Sequence, residues 1–283
     1  MSEPMKPMEI EQRSFAIITE LLGDRVLAPE NELVIKRVIH TTADFDYADN
    51  LTFSEHAVQK GIAALKSGCD IVTDTQMAKA GINKTILASL GGEVHCFMSD
   101  PDVAQEAKSC GVTRAFVSME RAAMLQKPCI FAIGNAPTAL LSLEQLMEEG
   151  KAAPALIIGV PVGFVNVEIS KERIIEKARA PYIVARGRKG GSNVAAAICN
   201  ADVCIKVEVR IACVERFARI RAAPASSARL FREEVLARIF RIPAVELVRG
   251  DLLARGKQHR IPLRRQCRVA KARQLPRVEA AAR

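Results

Sequence analysis

Residues 1–201 predict an α/β fold, a three-layer α/β/α sandwich built on a mostly parallel, Rossmann-like sheet. Three observations lead there. Short continuous apolar runs recur at residues 69–73, 93–97, 115–117, 129–133, 156–160 and 182–185. Amphipathic segments of helical period lie between them, at 76–90, 101–110, 119–126, 137–149 and 170–179. Each junction is a turn of small or polar residues. A strand apolar on both faces is one covered by helices on both faces, which is the signature of a buried parallel sheet.

The elements follow in order. Residues 8–22 (MEIEQRSFAIITELL) carry apolar positions at helical spacing and stop at Gly23. A second helix starts at Pro29 or Glu30 and ends at Ile39, delivering Arg37 and His40 to its C-terminal end. The polar segment TTADFDYADN then reads as a solvated loop, and Ser54 as the cap of a helix that stops at Gly68. The 76–90 segment is expected to break near Gly81. Pro137 suits a first helical position, with Asn135 able to cap it.

The last strand runs into RGRKGGSN, where Arg186, Arg188 and Lys189 alternate with Gly187, Gly190 and Gly191 before Ser192 or Asn193 caps a helix from Val194. Glycines allow close backbone approach, and a helix N-terminus favours negative charge, so this stretch predicts an anion-binding turn. It is neither a P-loop nor a G-x-G-x-x-G dinucleotide fingerprint, which demotes nucleotide binding.

Charge divides the chain. Residues 1–200 hold 21 Lys+Arg against 24 Asp+Glu, a net −3, whereas residues 201–283 hold 20 against 8, a net +12. Arg outnumbers Lys 17 to 3 in the second part, against 9 to 12 in the first. Residues 202–283 therefore read as an atypical basic extension, with one helix near 226–240 and otherwise little to build a core. Its charge permits non-specific nucleic-acid contact, but no motif supports it. The eight cysteines form no C-x-x-C pair and no zinc grouping with the four histidines, so a reduced, cytoplasmic protein is expected, with no metal. The longest apolar stretch, 155–167, is too short for a bilayer and contains Pro161.

In a parallel sheet, ligands bind beyond the carboxyl ends of the strands. Four loops should meet there: the one holding Thr75 and Met77; GNAPTAL with Asn135, Ala136, Pro137 and Thr138; GVPVGFVN with Val162 and Phe164; and the RGRKGGSN turn. His40 has a pKa suited to proton transfer near neutrality, and Arg37 lies one helical turn away on the same face. His56 and His95 look structural. Asp44, Asp46 and Asp49 do not match a calcium loop.

RVIHTTADFDY, TDTQMAKAGI, TRAF, FAIGNAPTAL, GVPVGFVN and RGRKGGSNVAAAICNA together resemble the precorrin-8X methylmutase family, specifically its cobalt-precorrin-8 branch, over residues 8–201. Six motifs in order make the resemblance specific. It implies an isomerase of cobalamin biosynthesis that moves a methyl group from carbon 11 to carbon 12 of a corrin precursor. It also implies a homodimeric α/β protein with no cofactor of its own, any cobalt belonging to the substrate. The histidine beside the migrating methyl is His40 in this sequence. Arg37, Arg114, Arg186, Arg188 and Lys189 would grip the substrate's carboxylates, aided by backbone N–H groups near Thr138, Gly190 and Ser192. Met77, Ala136, Pro137, Val162 and Phe164 would form apolar walls. A non-catalytic tetrapyrrole or polycarboxylate binder would share that anion loop. Family members finish soon after the AAAICNA helix, so the change near Asp202 reads first as an altered reading frame or artificial junction, and second as an appended module.

Overall fold

The computed structural model describes residues 7–177 and 179–201. The basic extension, including the helix expected at 226–240, lies outside the described residues.

Six strands form one sheet: β1 (Leu51–Phe53), β2 (Asp70–Thr73), β3 (Val94–His95), β4 (Cys129–Ile133), β5 (Leu156–Gly159) and β6 (Tyr182–Ala185). Their order across the sheet is β1-β6-β5-β4-β2-β3. β1 runs antiparallel to β6, and every other pairing is parallel. Eleven helical segments accompany them among the described residues: α1 (Pro7–Leu22), α2 (Glu32–Thr42), α3 (Tyr47–Asn50), α4 (Ala57–Lys66), α5 (Gln76–Gly81), α6 (Lys84–Ser89), α7 (Pro101–Cys110), α8 (Arg114–Ala123), α9 (Pro137–Glu148), α10 (Val167–Lys177) and α11 (residues 192–201).

The three layers can be read from alternate strand residues. Ile71, Ile130, Ala132, Leu156, Ile158, Ile183 and Ala185 face one core with α1, α2, α4, α6 and α11. Their neighbours Val72, Phe131, Ile133, Ile157 and Val184 face a second core with α8, α9 and α10. That alternation is the period-2 geometry of a strand, and it makes the middle residues of the central strands apolar on both faces. α11 sits deep in the first core, with Val194, Ala195, Ile198 and Ala201 wholly buried. Its small side chains let α5 come close: a Cβ added at Gly81 would stand 2.9 Å from the Cβ of Ala196. Asn200 clasps the break between α5 and α6, accepting from Asn83 N at 2.9 Å and donating to Gly81 O at 2.9 Å.

The structure corrects four local expectations. Residues 115–117 are helical, within α8, because Thr113 Oγ1 caps the segment by accepting from Phe116 N, and Ala115, Ser118, Met119 and Ala122 bury at helical spacing. TTADFDYADN is no free loop: Thr41 and Thr42 extend α2, Tyr47–Asn50 form α3, and the chain passes directly into β1. Ser54 caps nothing. Its Oγ accepts from Tyr182 N, prolonging the β1–β6 pairing, and α4 starts at Ala57 after His56 at φ +54°. Finally, α11 starts at residue 192, with Gly191 O taking the first intrahelical bond from Ala195 N, so Ser192 is released for another partner.

Candidate active site

The strand order reverses direction between β2 and β4, since the chain passes from β2 outward to β3 and then crosses back through β4, β5 and β6. Such a switch point opens a crevice at the carboxyl ends of the two strands. Asp74, the first residue after β2, closes its floor. The side chain is fully buried, and its carboxylate accepts from Gly134 N (2.9 Å), Asn135 N (2.8 Å) and Ala136 N (2.6 Å) beyond β4. Burial pushes its pKa up, while the three N–H donors oppose that rise. The GNAP loop is thus shaped by a carboxylate from the neighbouring strand and not by an Asn135 cap: Ala136 holds the cap position of α9 without a side-chain bond.

Thr75 works twice. Its Oγ1 accepts from Ala78 N, capping α5, and lies 2.8 Å from Ser192 Oγ at the start of α11. Gly134 permits this meeting of loops: an added Cβ would lie 2.7 Å from Ser192 Cα. Thr113 Oγ1 donates to Thr138 Oγ1 at 3.3 Å, which sets the start of α8, and with it Arg114, beside the same loop. The loop after β5 joins the β6 turn through backbone bonds, Gly191 N to Val160 O (2.9 Å) and Gly163 N to Arg188 O (3.2 Å). Gly190 is needed here because a Cβ would strike Val160 O. Four loops converge on one edge, as the sequence predicts.

Charge at this edge differs from the expectation of open cations. Arg186 pairs with Glu172 (3.2 Å) and Arg188 with Glu168 (3.1 Å), both glutamates lying on α10. Lys189 binds Asp44 at 2.7 Å and Asp46 at 2.5 Å. Its pKa is raised by those bonds, and that of Asp44 is lowered by the same contact. Lys189 therefore ties the segment after α2 to the β6 turn, and Asp44 and Asp46, expected only to be solvated, are its partners. Arg114 has no carboxylate at ion-pair distance among the described residues. Met77, Val162 and Phe164 are exposed, Ala136 and Pro137 half-buried, and the Arg188 guanidinium lies 5.6 Å from the centre of the Phe164 ring.

His40 is exposed at the end of α2, its ring stacked on Phe15 of α1 at 5.6 Å between centroids. Arg37 lies over the same phenyl ring, 4.9 Å from its centre, and pairs with Glu11. The two thus share one face through an aromatic residue that sequence reasoning passed over. His56 pairs with Glu30, and His95 Nε2 meets Asp70 at 3.1 Å at the amino end of the strands, both structural places. The roles of two further residues escaped sequence reasoning. Asp74 is legible as a carboxylate directly after a strand, but not as the acceptor for three amides of the neighbouring loop. Lys171 could have been found as a lysine at an inward position of α10, where it is fully buried. Among the described residues no three His, Cys, Asp or Glu side chains converge on a metal position, and no helix is long and apolar enough to cross a membrane.

The family model for precorrin-8X methylmutase matches residues 9–204. A cobalt-precorrin-8 methylmutase from Priestia megaterium is 46% identical over 197 residues, covering 70% of this chain and 87% of the relative. A precorrin-8X methylmutase from Pseudomonas aeruginosa is 38% identical over 193 residues, covering 68% and 92%. The crystal structure of precorrin-8X methylmutase from Thermus thermophilus superposes with a TM-score of 0.65 at 38% identity, covering 70% of this chain and 95% of that one. The chain belongs to the precorrin-8X methylmutase family.

Proposed function

We propose that this protein is a cobalt-precorrin-8 methylmutase, an isomerase of cobalamin biosynthesis that moves a methyl group from carbon 11 to carbon 12 of its corrin substrate. The observation that carries this reading is the family match over residues 9–204, which takes in His40 and all four strand-end loops. The cobalt-substrate branch is favoured over the metal-free one because four relatives named for it are 44–46% identical, whereas two named for precorrin-8X are 36–38% identical, a range that two further cobalt-named relatives share.

A 1,5-sigmatropic methyl shift rearranges bonds within one molecule. It needs no nucleophile, no electron carrier and no metal from the protein, and any cobalt arrives in the substrate. What it needs is a macrocycle held in one tautomer and shape, with developing charge stabilised. His40 supplies a proton or hydrogen bond to the ring system. The substrate's several carboxylates are met at separated places by Arg37, Arg114, Arg186 and Arg188, with backbone N–H groups near Thr138, Gly190 and Ser192. Thr75 and Asn135 line the crevice between β2 and β4. Met77, Ala136, Pro137, Val162 and Phe164 lie against the apolar ring. The pairing of Arg186 and Arg188 with exposed glutamates supports this role, because such pairs are weak and exchange readily for a better anion. The protein acts as a homodimer in the cytoplasm.

Incubation of the full chain with cobalt-precorrin-8 tests the proposal. An isomerase changes the absorption spectrum of the corrin at unchanged mass, whereas a non-catalytic carrier binds it and leaves the chromophore as it was. The same assay on a chain ending at residue 201 shows whether the body acts alone.

A further inference from the structure

The RGRKGG turn has carbonyls that need partners. Gly187 has φ +72° and Gly191 φ +137°, so the backbone folds back on itself, and the carbonyls of Gly187 and Lys189 aim inward. Lys171 reaches them from beneath. Its Nζ donates to Gly187 O at 2.7 Å and to Lys189 O at 2.8 Å, and the residue has no solvent-exposed surface. Glu168 and Glu172, three residues before and one after it on α10, hold Arg188 and Arg186. One face of α10 thus fixes both the backbone of the turn and its two arginines.

We propose that Lys171 is a positioning residue for substrate carboxylates: it binds the inward carbonyls, so that the turn's guanidinium and amide groups face out, and it places a positive charge behind them. This rests on the reading that the turn grips substrate carboxylates. Burial pushes the Lys171 ammonium down to about 8, against Glu168 and Glu172, which pull it up. The other charges facing it are Arg186, Arg188 and Lys189 on the turn, with Asp44 and Asp46 holding the last of these. A neutral amine keeps two N–H groups, enough for both carbonyls. Above neutrality the charge is therefore lost while the hydrogen bonds persist, and the two contributions separate.

Steady-state turnover of cobalt-precorrin-8 by the full chain, from pH 7 to 9, provides the test. In Lys171→Met and Lys171→Gln, KM rises about tenfold, the equivalent of one charge-assisted interaction, while kcat changes little. In the wild type KM climbs as pH passes 8, and this rise is absent from both variants. A fall in kcat at unchanged KM, or a pH-dependent rise that survives in Lys171→Gln, overturns the inference. Should Lys171→Met fail to fold, Lys171→Gln, whose amide keeps two N–H donors without a charge, and the wild-type profile still decide. An Arg186→Gln/Arg188→Gln variant separates the two layers of the argument. If its KM is unchanged at every salt concentration, the carboxylate grip itself is wrong. If its KM rises while that of Lys171→Gln does not, only the role of Lys171 falls.

Discussion

The strand-end loops and the α1–α2 surface hold their functional residues in opposite ways. The loops are fixed from beneath by two buried charges, Asp74 on three amides and Lys171 on two carbonyls, and by glycines that pack backbone on backbone. His40 stands on a helix surface, stacked on one phenyl ring, and Arg37, largely buried, lies over the same ring and pairs with Glu11. A binding edge set in advance costs little ordering when a rigid macrocycle arrives. A proton donor, by contrast, must adjust to a ring whose electrons are moving, and a lightly held imidazole can do that. On the proposed function, the first region supplies most of the carboxylate grip and the second the proton donor.

The sharpest break between the two comes from His40→Ala. With a proton donor removed, turnover should fall by about 10²–10⁴-fold with affinity for the corrin retained; single-turnover kinetics beside equilibrium binding checks this, and unchanged turnover removes His40 from the mechanism. Asp74→Ala attacks the other region. It strands three N–H groups at a buried place, at about 1–3 kcal/mol for each one that stays dry. Stability should drop by several kcal/mol, read as a lower midpoint in urea, and a midpoint matching the wild type would show that water replaces the carboxylate freely.

Much of this contrast was open to sequence reasoning, and its limits have physical causes. Five of the six expected strands exist because continuous apolar runs bounded by turns admit few other readings. Ala115–Phe116–Val117 failed because three apolar residues fit either element, and the deciding signal was the Thr113 cap upstream. Leu51–Phe53 was missed because so short a strand carries no period, and its partner, β6, lies far along the chain. The four loops were legible as loops after strands. Their internal partners were not, since the ties of Lys189 to Asp44 and Asp46 span 145 and 143 residues.

Smaller effects sharpen the comparison. Glu168→Gln frees Arg188 from its exposed partner, so affinity for the polycarboxylate substrate should increase a few-fold at low salt and converge with the wild type at high salt, as screening requires. A decrease would mean that Glu168 orients Arg188 more than it occupies it. Lys171 also leaves a trace in stability. Its folded pKa, about 8, lies below its ordinary value of 10.5, so between these the unfolded chain binds more protons than the folded one. Wild-type stability relative to Lys171→Met should therefore rise with pH across that window, and be flat below it. Thermal melts of the pair at several pH values measure this.

The Asn200 clasp has a consequence for how the chain folds. Asn200 closes on residues 81 and 83, and β1 at residues 51–53 waits for β6 at 183–185. The amino-terminal quarter thus finds its edge partner and its seal only when the last described turn has been synthesised. A ribosome that has made residues 1–150 has released β1 and the α5–α6 break with nothing to pair against, so completion of this body waits for residue 200 and is dominated by distant contacts. Such topologies fold slowly and expose strand edges meanwhile. Asn200 is thereby a closing latch of the folding reaction.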